Sequence, residues 1–371
     1  MLTGPDLPEP PKRQEPPEPP QPPEPPQPPE PPEPPDLPDL WAYRSSYREP
    51  ADFDAFWQDT LAEARRTGPR LELTPVDTGL ETVDVFDASF PGWGGHPVRG
   101  WLRLPRARSG PLPAVVQFHG YGSGRGAPVD DLLWSSAGYA HLLMDTRGQG
   151  GAWAGGGATP DPVGSGPAHP GFLTRGIEDK DTYVYRRVFT DAVRAVDALR
   201  GSGLADPAKV AAIGNSQGGG IALAVAGLVP DLTAAHIQSP FLCDIRQATR
   251  LTGAGPYAEL IGYLAARRDR VTRTFGTLGY FDGLAFARRA TAPAWFSAGL
   301  RDDVCPPATT VAAHHAYAGP RQLRLWEFNG HDAGGSEDLA IALRAFGPLL
   351  KTSSRPQSDA PGTLGTERRN P

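Results

Sequence analysis

Residues 209–228 read Lys-Val-Ala-Ala-Ile-Gly-Asn-Ser-Gln-Gly-Gly-Gly-Ile-Ala-Leu-Ala-Val-Ala-Gly-Leu. The short apolar run Val210 to Ile213 has the length and β-branched character of a buried strand, and Ile221 to Leu228 reads as a small-residue helix. Between them Gly214-Asn215-Ser216-Gln217-Gly218 fits G-x-S-x-G. In that motif a sharp strand-to-helix turn lifts the serine out of the backbone, and glycine on either side relieves the crowding. The helix start beside Ser216 also favours negative charge, as acyl transfer requires. The competing reading is a glycine-rich turn with an incidental serine. The strand before and the helix after favour a nucleophile, and a nucleophile of this kind needs an acid and a histidine later in the chain.

Both follow, each after a strand-like run. Phe296-Ser-Ala-Gly-Leu300 leads into Arg301-Asp302-Asp303, and Leu325-Trp-Glu-Phe328 leads into Asn329-Gly330-His331. The order Ser216, Asp302, His331 is nucleophile, acid, base in the α/β-hydrolase sense. His331 is expected to take the serine proton and return it to the leaving group, while Asp302 holds the imidazole tautomer. The oxyanion hole is expected from the N–H of Gln217 and from the loop His119-Gly120-Tyr121-Gly122, where Tyr121 also faces substrate. The remaining histidines (His96, His141, His169, His236, His314 and His315) show no metal-ligand spacing, so no metal is expected.

The surrounding pattern alternates strand and helix. Asp52-Phe-Asp-Ala-Phe-Trp57 opens a helix to about Arg66, and residues 82–90 and 97–104 alternate like antiparallel strands. Residues 114–118 and 142–144 are short buried strands, and 186–200 has helical spacing with Val188, Ala192, Val196 and Leu199 on one face. Strand-like runs recur at 237–241, 294–297 and 323–328. Helices are expected near 307–317 and 335–350, with an irregular helical region up to about residue 289. At least five strand–helix steps predict an α/β fold with a mostly parallel central sheet, helices on both faces and active groups at the strand carboxyl ends.

Composition confines the chemistry to this part. Of 371 residues, 44 are proline, and 19 of those lie in the first 40 positions. That stretch carries nine acidic and two basic residues, a net charge of −7 against −6 for the whole chain, so the remainder is close to neutral. Nothing in that balance favours nucleic acid. From Glu15 to Asp36 an acidic or amide residue followed by two prolines repeats, which favours polyproline II and a semi-rigid spacer of roughly 70 Å. Residues 1–40 are therefore expected to be a proline-rich arm, either a solvated extension or a ligand for a proline-recognising partner. Residues 41–351 are expected to form the hydrolase domain and 352–371 a disordered tail. Cys243 and Cys305 are expected to be buried free thiols. No run approaches a membrane span and no signal-peptide pattern opens the chain, so a cytoplasmic protein without a membrane partner is expected.

These stretches together resemble carbohydrate esterase family 7, the acetyl xylan esterase/cephalosporin C deacetylase group, from about Leu40 to Leu350. The resemblance is carried by Asp52 to Trp57, His119-Gly-Tyr121, Arg147-Gly-Gln149, Gly171-Phe-Leu-Thr-Arg-Gly176 and Tyr185 to Val193. It continues through Gly214 to Gly220, Pro240-Phe-Leu-Cys243, Tyr280-Phe-Asp-Gly283 and Gly299 to Pro307. It implies an α/β-hydrolase that removes acetyl groups from small esters without a cofactor. In that reading Ser216, Asp302 and His331 form the triad, Asp302 rather than Asp303 is the acid, and the Tyr121 and Gln217 amides form the oxyanion hole. It further implies that Arg147-Gly-Gln149 braces loops near the site, and that the chain is a homo-oligomer, a hexamer whose inner chamber restricts bulky polymers. Acetylated xylo-oligosaccharides and cephalosporin C-like esters are the implied substrates. A broader short-chain carboxylesterase or peptidase, and a scaffold recruited through the arm, are the alternatives. Two departures stand out: His331 is followed by Asp332 where the family has glutamate, and residues 151–159 are unusually rich in glycine.

Overall fold

The computed structural model describes residues 37–152, 156–164 and 168–351. The arm expected over residues 1–40 falls, up to residue 36, outside the described residues, as do the tail at 352–371 and part of the 151–159 loop. Helix α1 (Leu37–Ala42) opens the described chain, and its Leu40 packs against Leu300 and Val311.

Nine strands form one sheet: β1 (Glu72–Val76), β2 (Val83–Pro91), β3 (Pro97–Pro105), β4 (Leu112–Phe118), β5 (Ala140–Met144), β6 (Ala205–Asn215), β7 (Ala234–Gln238), β8 (Ala294–Gly299) and β9 (Arg321–Trp326). Their spatial order is β1-β2-β3-β5-β4-β6-β7-β8-β9. The first three are antiparallel, β3 meets β5 antiparallel, and β5 through β9 run parallel. Because the parallel strands share one direction, the ends of β4, β6, β7, β8 and β9 lie along one edge. That edge is where the sequence places its chemistry.

The crossovers supply the layers. Helix α2 (Phe53–Arg65) precedes the sheet, α3 (Leu133–Ser136) joins β4 to β5, α4 (Val184–Gly201) joins β5 to β6, and α5 (Gln217–Leu228) joins β6 to β7. Helices α6 (Ile245–Leu251), α7 (Gly255–Ala266), α8 (Val271–Leu278) and α9 (Gly283–Ala287) fill the segment before β8. Helix α10 (Pro307–Ala316) precedes β9 and α11 (Gly335–Leu350) follows it. Strand alternation divides the core between two faces. Ala114, Val116, Val210 and Ala212 join the main cluster with α2, α4, α5 and α9. Val115, Ala211 and Ile213 turn the other way, to Trp134, Tyr139, Ala342 and Phe346. On that second face the Trp134 and Phe346 rings stack at 5.5 Å. Cys243 and Cys305 are buried and unpaired.

Candidate active site

Strand β6 ends at Asn215, and α5 starts at Gln217, so the whole turn is made by Ser216. Its backbone sits at φ 59°, ψ −122°, a conformation that side-chain-bearing residues rarely adopt. Three backbone bonds hold it there. Ser216 N donates to Gln238 O at 3.0 Å, and Ser216 O accepts from Gly220 N at 3.0 Å and Phe241 N at 2.9 Å. The flanking glycines are steric requirements: a Cβ on Gly218 would lie 2.1 Å from Phe118 O, and one on Gly214 would lie 2.2 Å from Gly218. Helix, elbow and the end of β4 therefore touch backbone to backbone.

The acid and the histidine approach from the next strand ends. Asp302, three residues past β8, is buried, and its Oδ1 accepts Val304 N at 2.9 Å and Cys305 N at 2.8 Å. His331 Nδ1 lies 2.9 Å from Asp302 Oδ2 and 3.1 Å from Oδ1. Asp303 points away: it is exposed, and its carbonyl accepts the Thr252 hydroxyl. The loop bearing His331 is tied to β7 by Gln238 Nε2, which donates to Asp332 O at 2.7 Å. The Asp332 carboxylate accepts from Asn329 Nδ2 at 3.4 Å, so this shorter acid is used within its own turn. Cys305, whose N–H Asp302 accepts, is buried, and burial pushes its thiol well up, keeping it protonated.

The third component is the loop after β4. Gly122 N donates to Gln149 Oε1 at 2.8 Å, and the Gln149 and Gln217 amides pair reciprocally at 2.9 and 3.2 Å. Tyr185 Oη donates to Gln217 Oε1 at 2.8 Å. One glutamine thus fastens the 119–122 loop to the residue after the serine, bringing together the two segments that carry the Tyr121 and Gln217 amides. The first N–H groups of a helix lack intrahelical acceptors, so the start of α5 offers donors to an anion. Arg147, two residues before Gln149, is fully buried and bidentate to Asp191 at 2.5 and 2.7 Å; Asp161 and Arg187 extend that network. The Tyr121 phenol is occupied by Glu259 and by the Phe172 and Leu173 amides, and its ring meets Phe172 and Phe241 edge-on.

Glu259, Gln238 and Tyr185 were not singled out as site residues from sequence. Each acts over a long separation (138 residues between Glu259 and Tyr121), and although Tyr185 opens the 185–193 stretch quoted above, nothing local assigns any of the three to the site. Among the described residues no group of three or more His, Cys, Asp and Glu side chains could hold a metal ion, and no helix is long and apolar enough to cross a membrane.

The mixed sheet with its parallel core, covered on both faces, and the serine elbow at the end of a central strand define an α/β-hydrolase. The chain belongs to the acetyl xylan esterase (AXE1) family, whose description matches residues 35–342. It is 33% identical to an acetyl xylan esterase from Paenibacillus sp. R4, with a TM-score of 0.79 over 85% of this chain and 99% of that one. Acetyl xylan esterase 1 from Thermoanaerobacterium sp. JW/SL YS485 is 30% identical, with a TM-score of 0.77 over 84% and 98% of the two chains. The acetyl esterase Axe7A of Xylanibacter ruminicola is 29% identical over 307 residues, 76% of this chain. The present chain spans only 64% of that curated relative's length. The family and fold implied by the sequence motifs are thereby borne out.

Proposed function

We propose that this protein is a serine esterase that removes acetyl groups from small acetylated substrates, acetylated xylo-oligosaccharides and cephalosporin C-like esters among them. The observation that supports the reading is the His331–Asp302 pair at 2.9 Å, whose loop is tied through Gln238 to the strained Ser216 elbow: Ser216 N donates to Gln238 O and Gln238 Nε2 donates to Asp332 O. Family membership and the names of its relatives support acetate as the acyl group.

Ser216 Oγ attacks the acetyl carbonyl carbon while His331 Nε2 accepts its proton, and Asp302 holds Nδ1–H and stabilises the imidazolium. The tetrahedral oxyanion is met by the N–H groups of Tyr121 and Gln217. Collapse expels the sugar or other alkoxide, which takes the proton from His331 and leaves acetyl-Ser216. Water, deprotonated by the same imidazole, then releases acetate and restores the serine.

Acetate release from p-nitrophenyl acetate, cephalosporin C and acetylated xylo-oligosaccharides tests this, with butyrate and octanoate esters as length controls. Turnover that vanishes in Ser216→Ala and falls steeply with acyl length is the expected result. Equal turnover in both proteins would remove Ser216 as nucleophile, and undiminished turnover of octanoate would replace the deacetylase with a broader carboxylesterase.

A further inference from the structure

One half-buried acid beside the site takes no part in the chemistry above. Glu259 lies in the first half of α7, and its side chain reaches the loop after β4. Both carboxylate oxygens lie 2.8 Å from Tyr121 Oη, and Oε2 also accepts Leu173 N at 3.0 Å. The phenol oxygen accepts Phe172 N and Leu173 N, each at 2.7 Å. A phenol has one proton to give and two lone pairs, so Tyr121 is saturated by this arrangement. No Lys or Arg forms an ion pair with Glu259 among the described residues. Burial raises its carboxyl, and the phenol and amide donors pull it back. A half-buried carboxylate held chiefly by phenol and amide donors, with His169 the charged group acting on it, is costly to keep, and such groups gather at functional sites.

The packing around it is tight. Gly171 sits at φ +125°, and a Cβ there would lie 2.1 Å from the Glu259 carboxylate, so the 168–173 loop rests directly on the acid. The Tyr121 ring meets Phe172 at 5.4 Å and Phe241 at 5.9 Å, both edge-on, and Phe241 N donates to Ser216 O. Residue 121 is therefore fastened on two sides. Its main chain is fixed next door, where Gly122 N meets Gln149, and its side chain is fixed by Glu259. With both ends held, the Tyr121 peptide has little freedom to rotate.

We propose that Glu259 is a positioning residue of the oxyanion hole, which aims the Tyr121 amide by clamping the Tyr121 phenol. This rests on the assignment of Tyr121 and Gln217 as the oxyanion donors. A donor aimed at the oxyanion matters most once charge develops there, so loosening it lowers kcat and leaves KM nearly unchanged. Losing an oxyanion donor outright costs on the order of 10²–10³ in kcat, and a misaimed one costs less, about 10- to 100-fold.

The test compares wild type, Glu259→Gln, Tyr121→Phe and the double variant on p-nitrophenyl acetate. Inhibition by a short trifluoromethyl ketone, which adds Ser216 to give a stable oxyanion, is measured beside it. Expected are a 10- to 100-fold loss of kcat in each single variant, an equal fold loss in affinity for the ketone, and no further loss in the double variant, since both changes cut one link. Tyr121→Phe severs the same link from the other side and serves if Glu259→Gln does not fold. A purely structural role would lower Tm while leaving kcat and ketone affinity of the folded protein intact; that result, losses confined to KM, or additive losses in the double variant would overturn the proposal. Fluorophosphonate labelling of wild type separates the two levels of inference. Absence of label on Ser216 removes the esterase reading and this one with it, whereas normal labelling with full activity in Glu259→Gln removes this one alone.

Discussion

Asp302 and Asp303 share a backbone turn and differ in everything around their carboxylates. Asp302 is buried, accepts two backbone N–H groups and faces His331 Nδ1; Asp303 is exposed and contributes its carbonyl to Thr252. In the proposed triad that carboxylate holds the proton on Nδ1, which leaves Nε2 to accept from the serine. In Asp302→Asn the amide presents a donor in part of that contact, and the wrong tautomer becomes available. We expect kcat for p-nitrophenyl acetate to fall about 10³- to 10⁴-fold with KM little changed. Asp303→Asn, a surface change, should stay within roughly twofold of wild type. Steady-state kinetics of the two variants side by side decides it; equal losses would mean that the acid role is shared. The neighbouring departure, Asp332 in place of glutamate, has a local explanation at this scale. The loop is anchored through the Asp332 carbonyl to Gln238, which does not depend on side-chain length.

At the scale of elements, what could be read from sequence follows from how local the cause is. The Ser216 strand, turn and helix were legible because glycine spacing, apolar run and small-residue helix lie within twenty residues, and the structure places β6 and α5 around them. Strand β1 was not read, because Thr74-Pro75-Val76 carries a proline and a mostly exposed pattern; it survives as an edge strand paired with β2 alone. Strand β7 lies three residues earlier than its apolar run suggested, since Ser239 turns to φ 39° ahead of Pro240 and ends the ladder at Gln238. The loop after β5 shows the limit most clearly. Its Arg147-Gly-Gln149 motif was visible, but not its partners, which for Arg147 come from α4 and residue 161 and for Gln149 from Gly122 and the start of α5. Arg147 and Asp191 are both buried, so removing one charge strands the other without solvent. Arg147→Met should therefore lower unfolding free energy by about 3–5 kcal/mol. Adding Asp191→Leu should cost less than the two single changes together. Urea denaturation of the three variants checks this, and a single-variant loss below about 1 kcal/mol would mean that water reaches the pair.

For the whole molecule, the buried titratable groups set how stability varies with pH, and they do not all act in one direction. Burial lowers His236 and His314 to about 4 and takes His141 well below its ordinary value. Between about pH 4 and 6.5 the unfolded chain binds protons on these imidazoles that the folded chain refuses, so stability is lost as the pH falls through that window. Asp282 opposes this. Burial raises it to about 7 although it accepts the Asp244, Ile245 and Leu284 amides, so the folded chain holds a proton there that the unfolded one releases. Glu259, raised by burial, acts in the same sense as Asp282. Below about pH 4 the arginine-paired carboxylates Glu49, Asp54, Asp84 and Asp87, all lowered, add their own loss. Burial lowers His119 and His315 as well, so five histidines against one strongly raised acid leave net proton uptake on unfolding, and each proton taken up changes stability by about 1.4 kcal/mol per pH unit. Stability should thus fall on acidification from pH 6.5 to 4.5, well before the paired carboxylates titrate. His236→Gln removes one of these imidazoles, so its stability–pH slope in that interval should be shallower by about one proton. Urea midpoints for both proteins at pH 7.5, 6.5, 5.5 and 4.5 measure the difference. Parallel slopes would mean that His236 is charged in the folded protein, and Asp338, the nearest carboxylate acting on it, would then be its partner.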